Sequence, residues 1–144
     1  MIEEQFGVSV GKKAMVTKTI SEMDVTTFAH MSGDTQGLHL DEGYASKTRF
    51  KSRIAHGTLS IGLISAVLGT RLANPETTVI FLGLNIRFTA PVYLGDTVTA
   101  ECEVTQIREE KRIVTLACKC TNQKGQAVLT GEATVLLDPL PFAT

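Results

Sequence analysis

The sequence predicts an α+β fold in which a long antiparallel sheet wraps around one apolar helix. Three observations carry this. Residues 57–70, GTLSIGLISAVLGT, hold no charge, and between Leu59 and Leu68 only Ser60, Gly62 and Ser65 interrupt the apolar residues. A helix apolar nearly all round must be covered on nearly all sides. Four later stretches alternate apolar and polar residues between short turn signals, as antiparallel strands with one wet face do. Strands of about 10 to 12 residues extend roughly 35 to 40 Å, enough for a twisted sheet to curl around a helix.

The elements follow in order. Residues 12–20 read as a first strand, at an edge. Ser21 then caps a helix with Glu22 and Asp24 in its first turn, where acids favour the helix dipole. Val25, Phe28 and Ala29 form its inward stripe, and Gly33 ends it. Residues 34–40 read as a loop, Asp41 caps a short helix over residues 42–47, and the chain to Arg53 reads as irregular. After the apolar helix, residues 78–90 place Ile80, Leu82, Leu84, Ile86 and Phe88 on one face, leaving Val79 and Phe81 outside. Residues 97–108 turn Val98, Ala100, Cys102 and Val104 inward, and residues 112–121 turn Val114, Leu116, Cys118 and Cys120 inward. Residues 127–137 turn Leu129, Ala133, Val135 and Leu137 inward, with Val128 outside. The outer apolar residues Val79, Phe81 and Val128 point to contact with a second copy.

Length and composition exclude several classes. A chain of 144 residues fits one domain spanning 1–144, and 43% apolar with 20% charged residues is ordinary for a globular protein. A formal charge of −1 with few aromatic residues offers no footprint for nucleic acid. The N-terminus places acids before its basic pair and lacks an apolar run, so no secretory signal is expected. The uncharged helix falls short of the roughly 20 residues that cross a bilayer, so no membrane partner is expected. Cys102, Cys118 and Cys120 lack a CxxC spacing and read as small buried hydrophobes in a reducing cytoplasm.

The chemistry concentrates in residues 28–57, FAHMSGDTQGLHLDEGYASKTRFKSRIAHG, which contain all three histidines, His30, His39 and His56. Taken alone, Asp34 after Ser32-Gly33 reads as a turn residue and His39 between two leucines as a core histidine. The wider pattern changes that. Residues 32–41, SGDTQGLHLD, resemble the S-G-D-x-N-P-L-H-x-D signature of the MaoC-like, R-specific enoyl-CoA hydratases of the hot-dog fold. Ile54-Ala55-His56-Gly57 and the F-x-x-P-V-x-x-G-D stretch from Phe88 to Asp96 match the same family, in order, over most of the chain.

The resemblance implies reversible addition of water to a trans-2-enoyl thioester carried by coenzyme A or an acyl carrier protein, without a cofactor or metal. It puts the catalytic pair at Asp34 and His39 and the N–H that polarises the thioester carbonyl at Gly57. Gln36 and His56 support the site, His56 by capping or packing at the helix entry. The chemistry fits the residue types, because hydration needs a base for water and an acid for Cα. An imidazole titrates near neutrality and can serve in either direction. The pair acts as one unit, so the base is not assigned to either residue. Some family members also use a serine on the central helix, and Ser60 and Ser65 both qualify.

The family asparagine is Gln36 here and the proline is Gly37, which loosens the loop by about 1 kcal/mol of unfolded-state entropy. The basic run Lys47, Arg49, Lys51 and Arg53, with Arg87 on a later strand, offers cations for the phosphates of coenzyme A. The resemblance also implies at least a homodimer, which would cover an open sheet edge. Two other readings stand beside it. A thioesterase needs a carboxylate aimed at the carbonyl carbon, and a noncatalytic acyl-CoA binding module is kept open by Gln36 and Gly37.

Overall fold

The computed structural model describes residues 1–143. Among them, five antiparallel strands form one sheet: β1 (Lys13–Thr19), β2 (Thr77–Phe88), β3 (Thr97–Arg108), β4 (Ile113–Thr121) and β5 (Ala127–Pro139). Their order is β1-β3-β4-β5-β2, so β1 and β2 are the edges. The helices are α1 (Ile2–Phe6), α2 (Glu22–Ser32), the single turns α3 (Gly37–Leu40) and α4 (Glu42–Ala45), and the apolar α5 (Gly57–Thr70). No helix of the described residues is long and apolar enough to cross a membrane.

The predicted inward sets of β3 and β4 are all buried, and they pack with Ile64, Val67 and Leu68 of α5. The thiols belong to this core. Burial pushes Cys120 up to about 12. Cys102 is also raised, first by its 3.4 Å hydrogen bond to Cys118 and then by burial.

Several expectations change. The inward set of β2 is not the even positions throughout. Val79 and Phe81 pair with the buried Leu137 and Val135, and a bulge at Leu82 then shifts the register so that Leu84 pairs with Ala133. One extra residue inverts the facing of a strand, so Val79 joins the core and Leu82 stands half exposed. A second bulge, on β5 opposite Cys120 and Thr121, turns Val128 inward. Thus Val79, Phe81 and Val128 do not form the outer contact patch that strict alternation suggests.

Residues 34–40 are also not all loop, because Gly37–Leu40 closes one helical turn. Cover on α5 is one-sided. Ser60 and Ile64 are buried on the sheet side, whereas Gly62, Ser65 and Gly69 are exposed. An apolar groove of about 420 Å³ runs between α5 and α2, walled by Met23, Phe28, Met31, Leu59 and Leu63. One sheet covers one side of a helix. The N-terminal turn α1, not foreseen, packs Ile2 and Phe6 into the end of the core, with Asn74 N–H donating to Phe6 O at 2.9 Å. The i, i+4 spacing of Ile2 and Phe6 was its only signal.

Candidate active site

The site is built by two arms that meet at the start of α5. On the first, Ser21 and Asp24 form a reciprocal capping box, Ser21 N–H donating to Asp24 Oδ2 at 2.9 Å and Asp24 N–H to Ser21 Oγ at 3.1 Å. The paired bonds hold the Asp24 carboxyl below its ordinary 3.8, the backbone N–H of Ser21 contributing most. Val25 and Ala29 are buried, and Gly33 stops α2 at φ 82°. That left-handed stop suits glycine. The chain therefore turns sharply and presents Asp34, its carboxylate exposed and at 3.4 Å from Gln36 N–H.

The turn α3 then carries His39 inward to 7% exposure. Its Nδ1 lies 2.8 Å from the carbonyl oxygen of Ile54. A carbonyl only accepts, so Nδ1 carries the hydrogen and Nε2 of the neutral ring is the bare, basic nitrogen.

The second arm is residues 53–56. Ala55 N–H donates to Val92 O at 2.7 Å, which fixes this segment to the Pro91-Val92 stretch. His56 is 2% exposed and precedes the first residue of α5, but it makes no side-chain cap. Its Nε2 instead donates to the backbone oxygen of Asp34 at 2.9 Å. Its ring stacks on His39 with centroids 3.9 Å apart and planes at 24°, and lies 4.8 Å from the Phe28 ring. Among the described residues, His56 Nδ1 is buried with no hydrogen-bond partner. Of the two roles expected for His56 at the helix entry, packing is what it does.

Asp34, His39, His56, Gly57 and Ser60 line one cavity of about 560 Å³, with Phe50, Ile54, Phe88 and Val128 among its apolar walls. Gly57 opens α5, where the first N–H groups lack intrahelical acceptors. A Cβ there would meet the Phe88 ring at 2.9 Å, so only glycine leaves that ring in place. Of the two candidate serines, Ser60 is buried against the cavity and Ser65 is exposed on the open flank. Phe88 falls on the face that alternation gives it, whereas Val128 could not be placed that way, because it sits in the bulge of β5.

The remaining predicted residues scatter. Gln36 has an exposed side chain that makes no cap to α3. Among the basic residues, Arg49 lines the cavity. Lys47 and Lys51 are exposed, Lys51 with φ 66°. Arg53 is already engaged, donating from Nε to His39 O at 2.8 Å and ion-pairing with Glu22 at 2.7 Å. Arg87 alternates away from Ile86 and Phe88 and does not line the cavity. His30 is exposed on α2.

Asp34, His39 and His56 each offer a donor atom within 4.8 Å of the others. A metal ion bonds at about 2.1 Å along the in-plane lone pair of an imidazole. Stacked rings at 24° aim those lone pairs side by side instead of at a common point, and one nitrogen of each ring already donates to a carbonyl. The trio suits water and protons better than a cation.

Comparison with known proteins agrees with this geometry. Residues 6–124 match the family described as MaoC like domain. The chain is 49% identical over 130 residues to the (R)-specific enoyl-CoA hydratase of Rhodospirillum rubrum, covering 90% of this chain and 88% of that one. It is 43% identical over 128 residues to the 3-hydroxybutyryl-CoA dehydratase of Methylorubrum extorquens, covering 89% and 80%. The solved structure of an (R)-hydratase from Aeromonas caviae superposes with a TM-score of 0.84 at 42% identity, covering 90% and 96%.

Proposed function

The chain belongs to the MaoC-like domain family, and from that premise we propose that it is an (R)-specific enoyl-CoA hydratase and 3-hydroxyacyl-thioester dehydratase of the hot-dog fold, with Asp34 and His39 as its catalytic pair. One observation carries the assignment of the pair. A carboxylate oxygen of Asp34 and a ring nitrogen of His39 lie within 4.8 Å of each other in the cavity. One water making two hydrogen bonds of about 2.8 to 3.0 Å spans up to about 4.9 Å between its partners.

The water sits between that carboxylate and His39 Nε2. As its oxygen attacks Cβ, its proton passes to the pair, and the π electrons of the enoyl group move onto the thioester oxygen. The free N–H at Gly57 meets that developing charge, a donor already oriented before the reaction begins. The pair then returns a proton to Cα. Both new bonds form on the face of the substrate turned toward Asp34 and His39. Water and thioester balance the equation, and no cofactor takes part. Dehydration is the same path reversed.

The apolar walls take the acyl chain, and Arg49, with Lys51 beside it, faces the phosphates of coenzyme A at the mouth. The protein works as a single 144-residue domain in the cytoplasm, a reading its three buried, unpaired thiols support. It pairs with a second copy along β2, whose twelve-residue outer edge has no partner among the described residues and carries the half-exposed Leu82.

Loss of the ultraviolet absorbance of crotonyl-CoA, followed by chiral analysis, tests the function. Formation of (R)-3-hydroxybutyryl-CoA is expected. Binding without turnover, on this and a longer enoyl-CoA, would leave an acyl-CoA binding module instead.

A further inference from the structure

Arg53 comes from the basic run whose cations suit the phosphates of coenzyme A, yet all three of its guanidinium nitrogens already have partners in the protein. Its Nε donates to the backbone oxygen of His39 at 2.8 Å. Nη1 lies 2.7 Å from Glu22 Oε2, and Nη2 donates to Glu22 Oε1 at 3.0 Å, a two-pronged carboxylate pair. The Arg53 side chain is 14% exposed and that of Glu22 61%. The next residue, Ile54, accepts from His39 Nδ1 at 2.8 Å and donates its own N–H to Leu38 O at 3.4 Å. Two consecutive residues therefore grip His39 at its backbone and at its ring.

The other end of the clamp matters equally. Glu22 opens α2, and Asp34 follows directly after α2 ends. Eleven helical residues make a rigid spacer of about 16 Å. The Arg53–Glu22 pair thus ties the rod that presents Asp34 to the backbone of the residue that presents Nε2. Nothing else among the ion pairs of the described residues joins the two arms.

We infer that Arg53 is a positioning residue for His39, held in place by Glu22, and that it does not contact the phosphates of coenzyme A. The inference rests on the hydratase reading for its kinetic consequences, but not for its structural one. Arg53→Lys keeps the charge and loses the fork, since one ammonium cannot serve Glu22 and His39 O together in this geometry. Glu22→Ala leaves Arg53 in place without its anchor, at an exposed position where folding is little disturbed.

The test compares both variants with wild type on crotonyl-CoA and on the N-acetylcysteamine thioester of crotonate, which lacks phosphates. Positioning predicts that each variant lowers kcat by about 10- to 100-fold, by the same factor on both substrates. A phosphate contact predicts the opposite pattern. Arg53→Lys would raise KM for the coenzyme A substrate alone, and Glu22→Ala, which frees the cation, would lower it. That pattern, or unchanged kcat in both variants, overturns the inference. Nitrogen-15 spectra of the His39 ring give a readout independent of turnover. Wild type is expected to show the Nδ1–H form, and Glu22→Ala a mixture of the two ring forms. If wild type fails to hydrate either substrate, the hydratase reading falls, and the ring spectra alone decide the positioning role. An unchanged Nδ1–H form in Glu22→Ala would then overturn it.

Discussion

The rings of His39 and His56 stack face to face, 3.9 Å between centroids, while His56 Nε2 donates to the backbone oxygen of Asp34. His56 therefore touches both members of the proposed pair, through its face and through its edge. His56→Ala removes both contacts and is expected to lower kcat by about 10- to 100-fold. His56→Phe restores a flat ring without the N–H, so it should recover part of that loss. Steady-state kinetics of the two variants decide this. Wild-type kcat in His56→Ala would reduce the stack to packing alone.

Gly37, which stands where the family signature has proline, is explained by Tyr44. A Cβ at Gly37 would lie 2.7 Å from the Tyr44 ring. The backbone itself suits proline, because Gly37 is the first residue of its turn and Gln36 has ψ 136°. Gly37→Pro alone is expected to destabilise the protein. In a Tyr44→Ala background the same change should stabilise it by about 0.4 to 1 kcal/mol, measured by urea unfolding. Stabilisation by Gly37→Pro with Tyr44 intact would show that the ring moves aside freely.

The capping box of α2 gives a pH signature. The Asp24 carboxyl is held below its ordinary value in the folded protein. A depressed carboxyl contributes stability above its unfolded value, near 3.8, and loses it as pH falls through the lower folded value. Asp24→Ala removes that carboxyl and should cost about 1 kcal/mol at neutral pH. The gap from wild type should narrow as pH falls below the ordinary 3.8 toward the lower value of folded Asp24. Urea unfolding at neutral and acid pH tests this, and a gap that widens in acid would contradict it.

The bulged edge strand predicts the oligomeric state. Leu82→Lys places a charge on the exposed edge of β2 without touching the buried core. Wild type is expected to sediment as a dimer and the variant to shift toward monomer. A dimer unchanged by this substitution would place the interface elsewhere.

Much of this architecture is legible in local chemistry. The helix cap at Ser21, the glycine stop at Gly33 and the alternation through β3 and β4 depend on residues a few positions apart, and each reads correctly. The facing of Val79, Phe81 and Val128 does not, because a bulge is set by register against a partner strand and leaves no local mark. The site divides the same way. Asp34, His39 and Gly57 are read from a motif, and the structure brings them to one cavity. The bond between Arg53 and the His39 backbone crosses 14 residues, so a run of basic residues says nothing of it.

The central claim is that Asp34 and His39 act as one unit on one water. Its most direct test is the turnover of crotonyl-CoA by wild type, Asp34→Asn, His39→Ala and the double variant. Each single change is expected to lower kcat by at least about 10²-fold. The double variant should lose little more than the worse single one, as groups sharing one step do. Losses that multiply would contradict the shared water, and single variants that keep wild-type turnover would remove the pair from the reaction.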